Sequence, residues 1–193
     1  MTTDPIWSAI VLAAGQSSRF GGGKLRAVYK EKPLLDWVLD AALACPVAEV
    51  VVVWGGDPEI AINLPTDGRT KPVWAPDHAL GIGASLGEGL RALNPQSQGV
   101  LVFLGDMPRV PISLAKDMIA AIGQGALAAA PVFDGRRGHP VLISSSLYDQ
   151  ISNLGGDQGA GRILDQLGEK LALIKAPDDG CLFDIDRPGD LLA

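Results

Sequence analysis

The sequence has few cysteines. Cys45 and Cys181 are the only two in 193 residues, they lie far apart, and neither belongs to a CxxC pair. Two isolated cysteines are too few for a zinc site of the usual spacing. The pattern favours two reduced thiols over a disulfide between them.

Basic residues are also fewer than acidic ones. The 16 basic residues are outnumbered by 22 acidic ones, which gives a formal net charge of −6. A surface of this sign disfavours non-specific binding to nucleic acid or to anionic membranes. An anionic substrate would therefore need a locally basic pocket.

Long apolar runs and targeting signals are missing as well. No apolar stretch is long enough to span a bilayer, and the N-terminal residues lack the basic region of a secretory signal. These absences predict a cytoplasmic protein that has neither a membrane nor a nucleic acid as partner.

Short apolar runs alternate with segments of helical periodicity. Strands are predicted at 6–12, 49–54, 99–106, 126–133, 139–144, 171–176 and 181–185, and helices at 33–44, 83–93, 112–122, 145–151, 160–167 and 187–193. This alternation predicts right-handed βαβ units around a mostly parallel sheet. We expect one α/β domain over residues 1–193, built as a three-layer α/β/α sandwich.

The most distinctive segment is the loop LAAGQSSRFGGGK at residues 12–24. It leaves the first predicted strand at its carboxyl end, where α/β sheets bind ligands. Its glycines allow close approach of backbone N–H groups, and Arg19 and Lys24 supply charge for phosphate oxygens. It is not a P-loop, because Ser18 and Leu25 occupy positions where that motif needs Gly and Ser or Thr. We interpret it as a polyphosphate-binding loop, with a flexible surface connection as the alternative.

Three aspartates are candidate metal ligands. Asp106 ends an apolar strand that Pro108 prevents from continuing, so its carboxylate points into the ligand crevice. Asp184 and Asp186 lie two apart in a predicted strand and would share one face. A turn or helix-capping role is the alternative for each.

Four further motifs follow the first loop in order: GDMPRV (105–110), GHPVLIS (138–144), GGDQGAGRIL (155–164) and DIDRPGDL (184–191). Together with LAAGQSSRFGGGK they resemble the nucleotidyltransferase family of molybdenum cofactor cytidylyltransferases and guanylyltransferases. The chain departs from the family pattern in GIGASLGEGL (81–90), which keeps a serine but lacks an arginine. The resemblance implies a Rossmann-like, GT-A-like fold and Mg²⁺-dependent transfer of CMP from CTP to molybdopterin cofactor, with release of pyrophosphate.

The resemblance also assigns roles to individual residues. The nucleotide-binding residues it implies are Leu12, Ala13, Ala14, Gly15, Arg19, Lys24, Ser85 and Gly105. Arg19, Lys24 and Asp106 are the implied catalytic residues, and Asp106 and Asp186 the implied Mg²⁺ ligands. The implied acceptor-binding residues are His139, Asp157, Arg162 and Asp184. For Arg136 and Arg137 a solvated turn is favoured, with a contact to the acceptor as the alternative.

Alternatives remain for the reaction and for the partners. In this family L-A-A-G goes with CTP and L-A-G-G with GTP, so Ala14 favours a pyrimidine. The same fold with GTP, or with a sugar phosphate or phospholactate as acceptor, stays open, as does a non-catalytic delivery protein. Intact Arg19, Lys24, Asp106 and Asp186 disfavour the last. A client molybdoenzyme or its maturation chaperone is a further implied partner.

Overall fold

A computed structural model describes residues 5–153 and 159–192 of the chain. The strands are β1 (Ile6–Ala13), β2 (Val28–Tyr29), β3 (Lys32–Pro33), β4 (Glu49–Trp54), β5 (Thr70–Trp74), β6 (Ser97–Leu104), β7 (Ala128–Phe133), β8 (Arg136–Arg137), β9 (Val141–Ser144) and β10 (Leu171–Lys175). The α-helices are α1 (Leu34–Ala44), α2 (Glu59–Ile62), α3 (Ile82–Arg91), α4 (Ala115–Gly123), α5 (Tyr148–Ser152) and α6 (Gly161–Gln166).

One sheet with the strand order β10-β7-β9-β6-β1-β4-β5 runs through the structure. The pairs β1–β4, β1–β6, β4–β5 and β7–β10 are parallel, whereas β9 is antiparallel to both β6 and β7. The short strand β8 adds to β7, and β2 and β3 form a separate hairpin. The prediction of a mostly parallel α/β sheet is confirmed, with β9 as the antiparallel insertion.

Helices cover both faces of the sheet. Successive side chains of β1 point to opposite faces, so they pack in two separate cores. Ala9 and Val11 pack in a core with residues of α1 and α4. Ile10 and Leu12 pack in a second core with residues of α3, α5 and α6. Strands buried on both sides need continuous apolar runs, which explains their composition.

The C-terminal segment differs from its prediction. Residues 181–185 do not form a strand: a 3₁₀ turn spans Asp179–Leu182, and residues 183–186 have no regular secondary structure. The N–H of Ile185 donates to the carbonyl of Asp106 at 3.0 Å, so this segment packs on the loop after β6. The last predicted helix is a 3₁₀ helix over Pro188–Leu192. In the described ranges no helix is both long and apolar enough to cross a membrane.

Candidate active site

The first loop and the loop after β6 meet at the carboxyl edge of the sheet. Leu12 of β1 pairs with Leu104 of β6, and the N–H of Gly105 donates to the Leu12 carbonyl at 2.9 Å. A Cβ on Gly105 would lie 3.0 Å from that carbonyl oxygen, so glycine permits the close approach. The strand register therefore brings the loops of residues 14–23 and 105–110 together.

Lys24 lies at the centre of a charged cluster at this edge. Its Nζ donates to Asp106 Oδ2 at 2.7 Å and approaches Asp186 Oδ1 at 3.4 Å. Arg19 Nη1 donates to Asp186 Oδ2 at 2.9 Å. The side chain of Lys24 is 10% exposed and that of Arg19 is 75% exposed. The fold thus collects four of the predicted residues from three distant parts of the chain.

Three glycines shape the path into Lys24. Gly21, Gly22 and Gly23 have φ values of 89°, 97° and 62°, which L-residues with a side chain rarely adopt. A 3₁₀ turn then spans Lys24–Arg26, and Leu25 is buried beneath it. The GGGK sequence therefore turns the chain so that the Lys24 ammonium lies over the end of the sheet.

The carboxylate of Asp186 is available for these cations because another residue caps the last helix. Asp190 Oδ2 accepts hydrogen bonds from the N–H groups of Asp186 (3.0 Å) and Arg187 (2.7 Å). The capping role considered for Asp186 therefore falls to Asp190. The prediction that Asp184 and Asp186 share one face of a strand is wrong, since no strand forms there.

The electrostatics of the two C-terminal aspartates differ. Partial burial raises the pKa of Asp184, and the negative charges of Asp186 and Asp106 raise it further. Burial also acts to raise the pKa of Asp186, but hydrogen bonds and charge from Arg19 and Lys24 bring it below its usual value. Three carboxyl groups thus influence one another around the Lys24 ammonium.

The donor set fits a divalent cation. The carboxylates of Asp106 and Asp186 already converge on one positive group, the ammonium of Lys24. Mg²⁺ is commonly held by one or two carboxylates, with phosphate and water oxygens completing its shell. The described part of the chain contains no group of three or more His, Cys, Asp or Glu side chains placed to hold a metal. Asp106 and Asp186 are the two carboxylates at this edge that could hold such a cation.

Two cavities open beside this cluster. One, of about 400 Å³, has Leu12, Ala14, Gly15, Ser85 and Asp106 in its wall. The other, of about 500 Å³, is lined on its loop side by Ala13, Gly15, Gly22, Gly23 and Lys24. Both volumes are in the range of small-molecule sites. Six of the predicted nucleotide-binding residues line these cavities, and Ala14 and Ser85 are each 4% exposed. Arg19 and Gly105 are not among the lining residues.

A third cavity, of about 220 Å³, shares Leu12 and Leu104 with the first and is lined by Arg137 and His139. Arg137 Nη1 donates to Asp165 Oδ1 on α6 at 2.7 Å. Arg137 lies in the wall of this cavity, which fits the acceptor-side alternative rather than a solvated turn, whereas Arg136 is exposed.

The remaining predicted acceptor residues are placed differently. Arg162 is exposed on α6 and is not among the lining residues of these three cavities. Asp157 lies outside the described residues.

His139 lies in the wall of this third cavity and is partly buried. Its backbone N–H donates to the Cys181 carbonyl at 2.9 Å, and its Nδ1 has no hydrogen-bond partner among the described residues. Burial lowers the pKa of His139, and the charge of Arg137 adds to this effect, against a hydrogen bond to the Val102 carbonyl and the charge of Asp106. The imidazole is therefore held neutral.

The neutral imidazole gives a testable pH dependence. The free energy of unfolding of the wild type is expected to fall, relative to that of His139→Asn, as pH drops below about 6.5. The unfolded histidine takes up a proton there and the folded one does not, so the unfolded state binds more protons and acid destabilises the fold. Asparagine has no proton to gain in this range.

Urea unfolding of both proteins from about pH 8 to about pH 5 measures the difference. Groups common to the two proteins cancel in the comparison. A difference that stays constant over this range would contradict a depressed pKa for His139.

His78 is a site residue that the motifs did not select. It lies in the walls of both the first and the second cavity, and its Nδ1 is 3.0 Å from the Ala75 carbonyl oxygen. The ring packs on Gly55, where a Cβ would lie 2.4 Å from its Cγ. Gly55 and His78 follow the ends of β4 and β5. Ligands bind at the carboxyl ends of such strands, so these positions could have identified His78 from the sequence.

Comparison with known proteins agrees with this geometry. The family model for the MobA-like NTP transferase domain matches residues 9–171. The chain belongs to the MobA-like NTP transferase family. Its relatives include the molybdenum cofactor cytidylyltransferase of Escherichia coli strain K12. The predicted enzyme class is therefore confirmed.

Individual relatives cover nearly the whole MobA-like chain. The purine catabolism protein PucB of Bacillus subtilis strain 168 is 31% identical over 196 aligned positions, which cover 95% of this chain and 93% of the relative. The Escherichia coli cytidylyltransferase is 25% identical over 184 positions, covering 95% and 92%.

Solved structures show the same fold. A homologue of Mycobacterium tuberculosis Rv0371c from Mycobacterium sp. strain JC1 superposes with a TM-score of 0.84 at 29% identity, covering 95% of this chain and 92% of that one. A manganese complex of Rv0371c from Mycobacterium tuberculosis H37Rv superposes with a TM-score of 0.74 at 22% identity, covering 89% and 88%.

Proposed function

We propose that this nucleotidyltransferase transfers CMP from CTP to the molybdenum cofactor and releases pyrophosphate. The observation that carries the proposal is the convergence of Lys24, Asp106 and Asp186 beside a cavity whose wall contains Ala14. Similarity over 95% of the chain to a cytidylyltransferase that acts on this cofactor supports the choice of nucleotide and acceptor.

The chemistry requires neutralisation of negative charge more than proton transfer. An oxygen of the acceptor's terminal phosphate attacks the α-phosphorus of CTP, the bond to the bridging oxygen breaks, and pyrophosphate leaves. An anionic phosphate needs no general base, so neither His78 nor His139 has to accept a proton. The protein's task is to align two anions and to balance the charge of the departing pyrophosphate.

Arg19 and Lys24 are the cations for the triphosphate. Lys24 lies in the wall of the second cavity among the glycines of the loop, whose backbone N–H groups also suit phosphate oxygens. Arg19 is exposed beside Asp186, and we assign it to the β- and γ-phosphates. Asp106 and Asp186 would hold Mg²⁺, which supplies further charge neutralisation at the reacting phosphates.

The acceptor belongs in the third cavity. This cavity adjoins the first through Leu12 and Leu104, so an acceptor phosphate there faces a nucleotide in the first cavity. Arg137 provides a positive charge, and neutral His139 provides a hydrogen-bonding group. Roles for Asp157, Arg162 and Asp184 toward the acceptor remain predictions.

A panel of the four nucleoside triphosphates with purified molybdenum cofactor tests the proposal through pyrophosphate release. We expect release with CTP in the presence of Mg²⁺ and cofactor, and little with ATP, GTP or UTP. Preference for GTP would replace the cytidylyl assignment with the guanylyl one. Release that needs a sugar phosphate in place of the cofactor would reassign the acceptor.

Ala14→Gly is expected to raise the use of GTP more than it lowers the use of CTP. Ala14 is 4% exposed in the wall of the first cavity, so its methyl group limits the space for a base. A close-packed wall rejects a larger purine, and removal of the methyl relaxes that rejection first. Competition between the two nucleotides, with wild type and variant, gives both kcat/KM values. An unchanged ratio would show that Ala14 does not select the base.

A further inference from the structure

Arg109 lies three residues after Asp106 and is not among the lining residues of the three cavities. Its Cζ is 3.8 Å from the centroid of the Phe183 ring, and its Nε donates to the Tyr29 hydroxyl at 2.8 Å. Among the residues that the structure describes, no carboxylate forms an ion pair with Arg109. Its charge is instead held against an aromatic face.

The ring that Arg109 covers belongs to the segment that carries Asp186. Because residues 183–186 have no regular secondary structure, no strand ladder fixes the position of that carboxylate. One backbone hydrogen bond, from Ile185 N–H to the Asp106 carbonyl, joins the segment to the loop after β6. The stack on Phe183 adds a side-chain contact three residues before Asp186.

The backbone of Arg109 contacts the 3₁₀ turn Asp179–Leu182, which directly precedes this segment. A Cβ on Gly180 would lie 2.2 Å from the Arg109 carbonyl oxygen, so these two stretches of chain are in direct contact. Tyr29, which receives the Arg109 hydrogen bond, is 2% exposed and therefore anchored in the core. Arg109 thus joins the loop of Asp106, the β2–β3 hairpin and the segment of Asp186.

We propose that Arg109 is a positioning residue for the cation site, where it fixes the separation of the Asp106 and Asp186 carboxylates. The inference rests on the metal site of the proposed function, but not on the choice of nucleotide or acceptor. Without the guanidinium, Phe183 keeps its contact with the Tyr29 ring but loses the cation stacked on its face. The Asp186 segment then samples more positions. Cation affinity falls, while the reaction at saturating metal continues, because Arg109 lies outside the cavities where the reactants bind.

Direct Mn²⁺ binding to the nucleotide-free protein is the test, measured by electron paramagnetic resonance. We expect Arg109→Met to weaken Mn²⁺ binding about tenfold, as for other residues that orient metal ligands. Arg91→Met is the matched control, because Arg91 pairs with Glu88 on the surface of α3. It should stay within about twofold of the wild type.

Kinetics separate positioning from catalysis. The Mg²⁺ concentration for half-maximal rate should rise about tenfold in Arg109→Met, with kcat at saturating Mg²⁺ within about twofold of the wild type. Arg109→Lys keeps a charge over the ring but lacks the planar group, and should give an intermediate Mn²⁺ affinity.

Two further variants keep the outcome decisive. Phe183→Leu removes the ring without altering Arg109 and should also weaken Mn²⁺ binding, which tests the proposal if Arg109→Met does not fold. Asp106→Asn should lose Mn²⁺ binding altogether. If Asp106→Asn loses it while folded Arg109→Met or Phe183→Leu binds Mn²⁺ like the wild type, the positioning role is overturned and the metal site stands. If Asp106→Asn binds Mn²⁺ like the wild type, both fail.

Discussion

Asp106→Asn is expected to lower turnover by on the order of 10³-fold while the fold stays intact, in line with the loss of one key electrostatic group in other enzymes. In the wild type, Lys24 Nζ donates to Asp106 Oδ2 at 2.7 Å. Asparagine has nearly the same size as aspartate and keeps an oxygen that can accept this hydrogen bond. What disappears is the negative charge that the cation needs. The change therefore acts on the chemistry rather than on packing.

Steady-state rates with saturating CTP and cofactor, over a Mg²⁺ titration, measure this effect. High Mg²⁺ should not restore the rate, in contrast to Arg109→Met. The control is Asp40→Asn, because Asp40 pairs with Lys32 at the surface, away from the cavities. A folded Asp106→Asn protein that turns over within a few-fold of the wild type would show that Asp106 is not a metal ligand.

Lys24→Met is expected to weaken CTP binding by about 1.5–3 kcal/mol, the usual contribution of a hydrogen bond to a charged group. The Lys24 side chain is 10% exposed, so its charge is poorly replaced by water. Arg19→Ala should cost less, about 1 kcal/mol, because that side chain is 75% exposed and its interactions are screened. Both variants should affect acceptor binding less than nucleotide binding.

Calorimetric titration with CTP measures the affinities of the wild type and the two variants. Lys32→Met is the matched control, because it makes the same substitution at a lysine that lies over Trp37 on α1. Lys32→Met should bind CTP like the wild type. Equal CTP affinities in all four proteins would mean that the first loop is a surface connection and not a phosphate-binding loop.

The sequence predicted best where local pattern and tertiary environment agree. EVVVVW forms β4 with the predicted bounds, because a continuous apolar run suits a strand covered on both faces. Residues Thr70–Trp74 were not predicted as a strand, since an edge strand tolerates the polar residues and proline of TKPVW. CLFDI was predicted as a strand, but it forms none, and its apolar side chains join the same core as Met107 and Val110.

The site residues likewise divide into those that local sequence pattern predicts and those whose positions depend on tertiary contacts. The meeting of Lys24 and Asp106 follows from two loops that leave adjacent parallel strands at one edge. The position of Asp186 does not follow from a strand, because it depends on the Asp190 cap and on the contact with Asp106. The sequence offered Arg137 as an alternative acceptor residue, but not its ion pair, since its partner Asp165 lies 28 residues away on α6.

Transfer of the α-phosphate of CTP to the cofactor is the measurement that tests the central claim most directly. With CTP labelled at the α-phosphate, purified molybdenum cofactor and Mg²⁺, the label should appear in a cytidine dinucleotide of the cofactor. With CTP labelled at the γ-phosphate, it should appear only in pyrophosphate. Label that stays in CTP, or that enters the cofactor from GTP and not from CTP, would contradict the account.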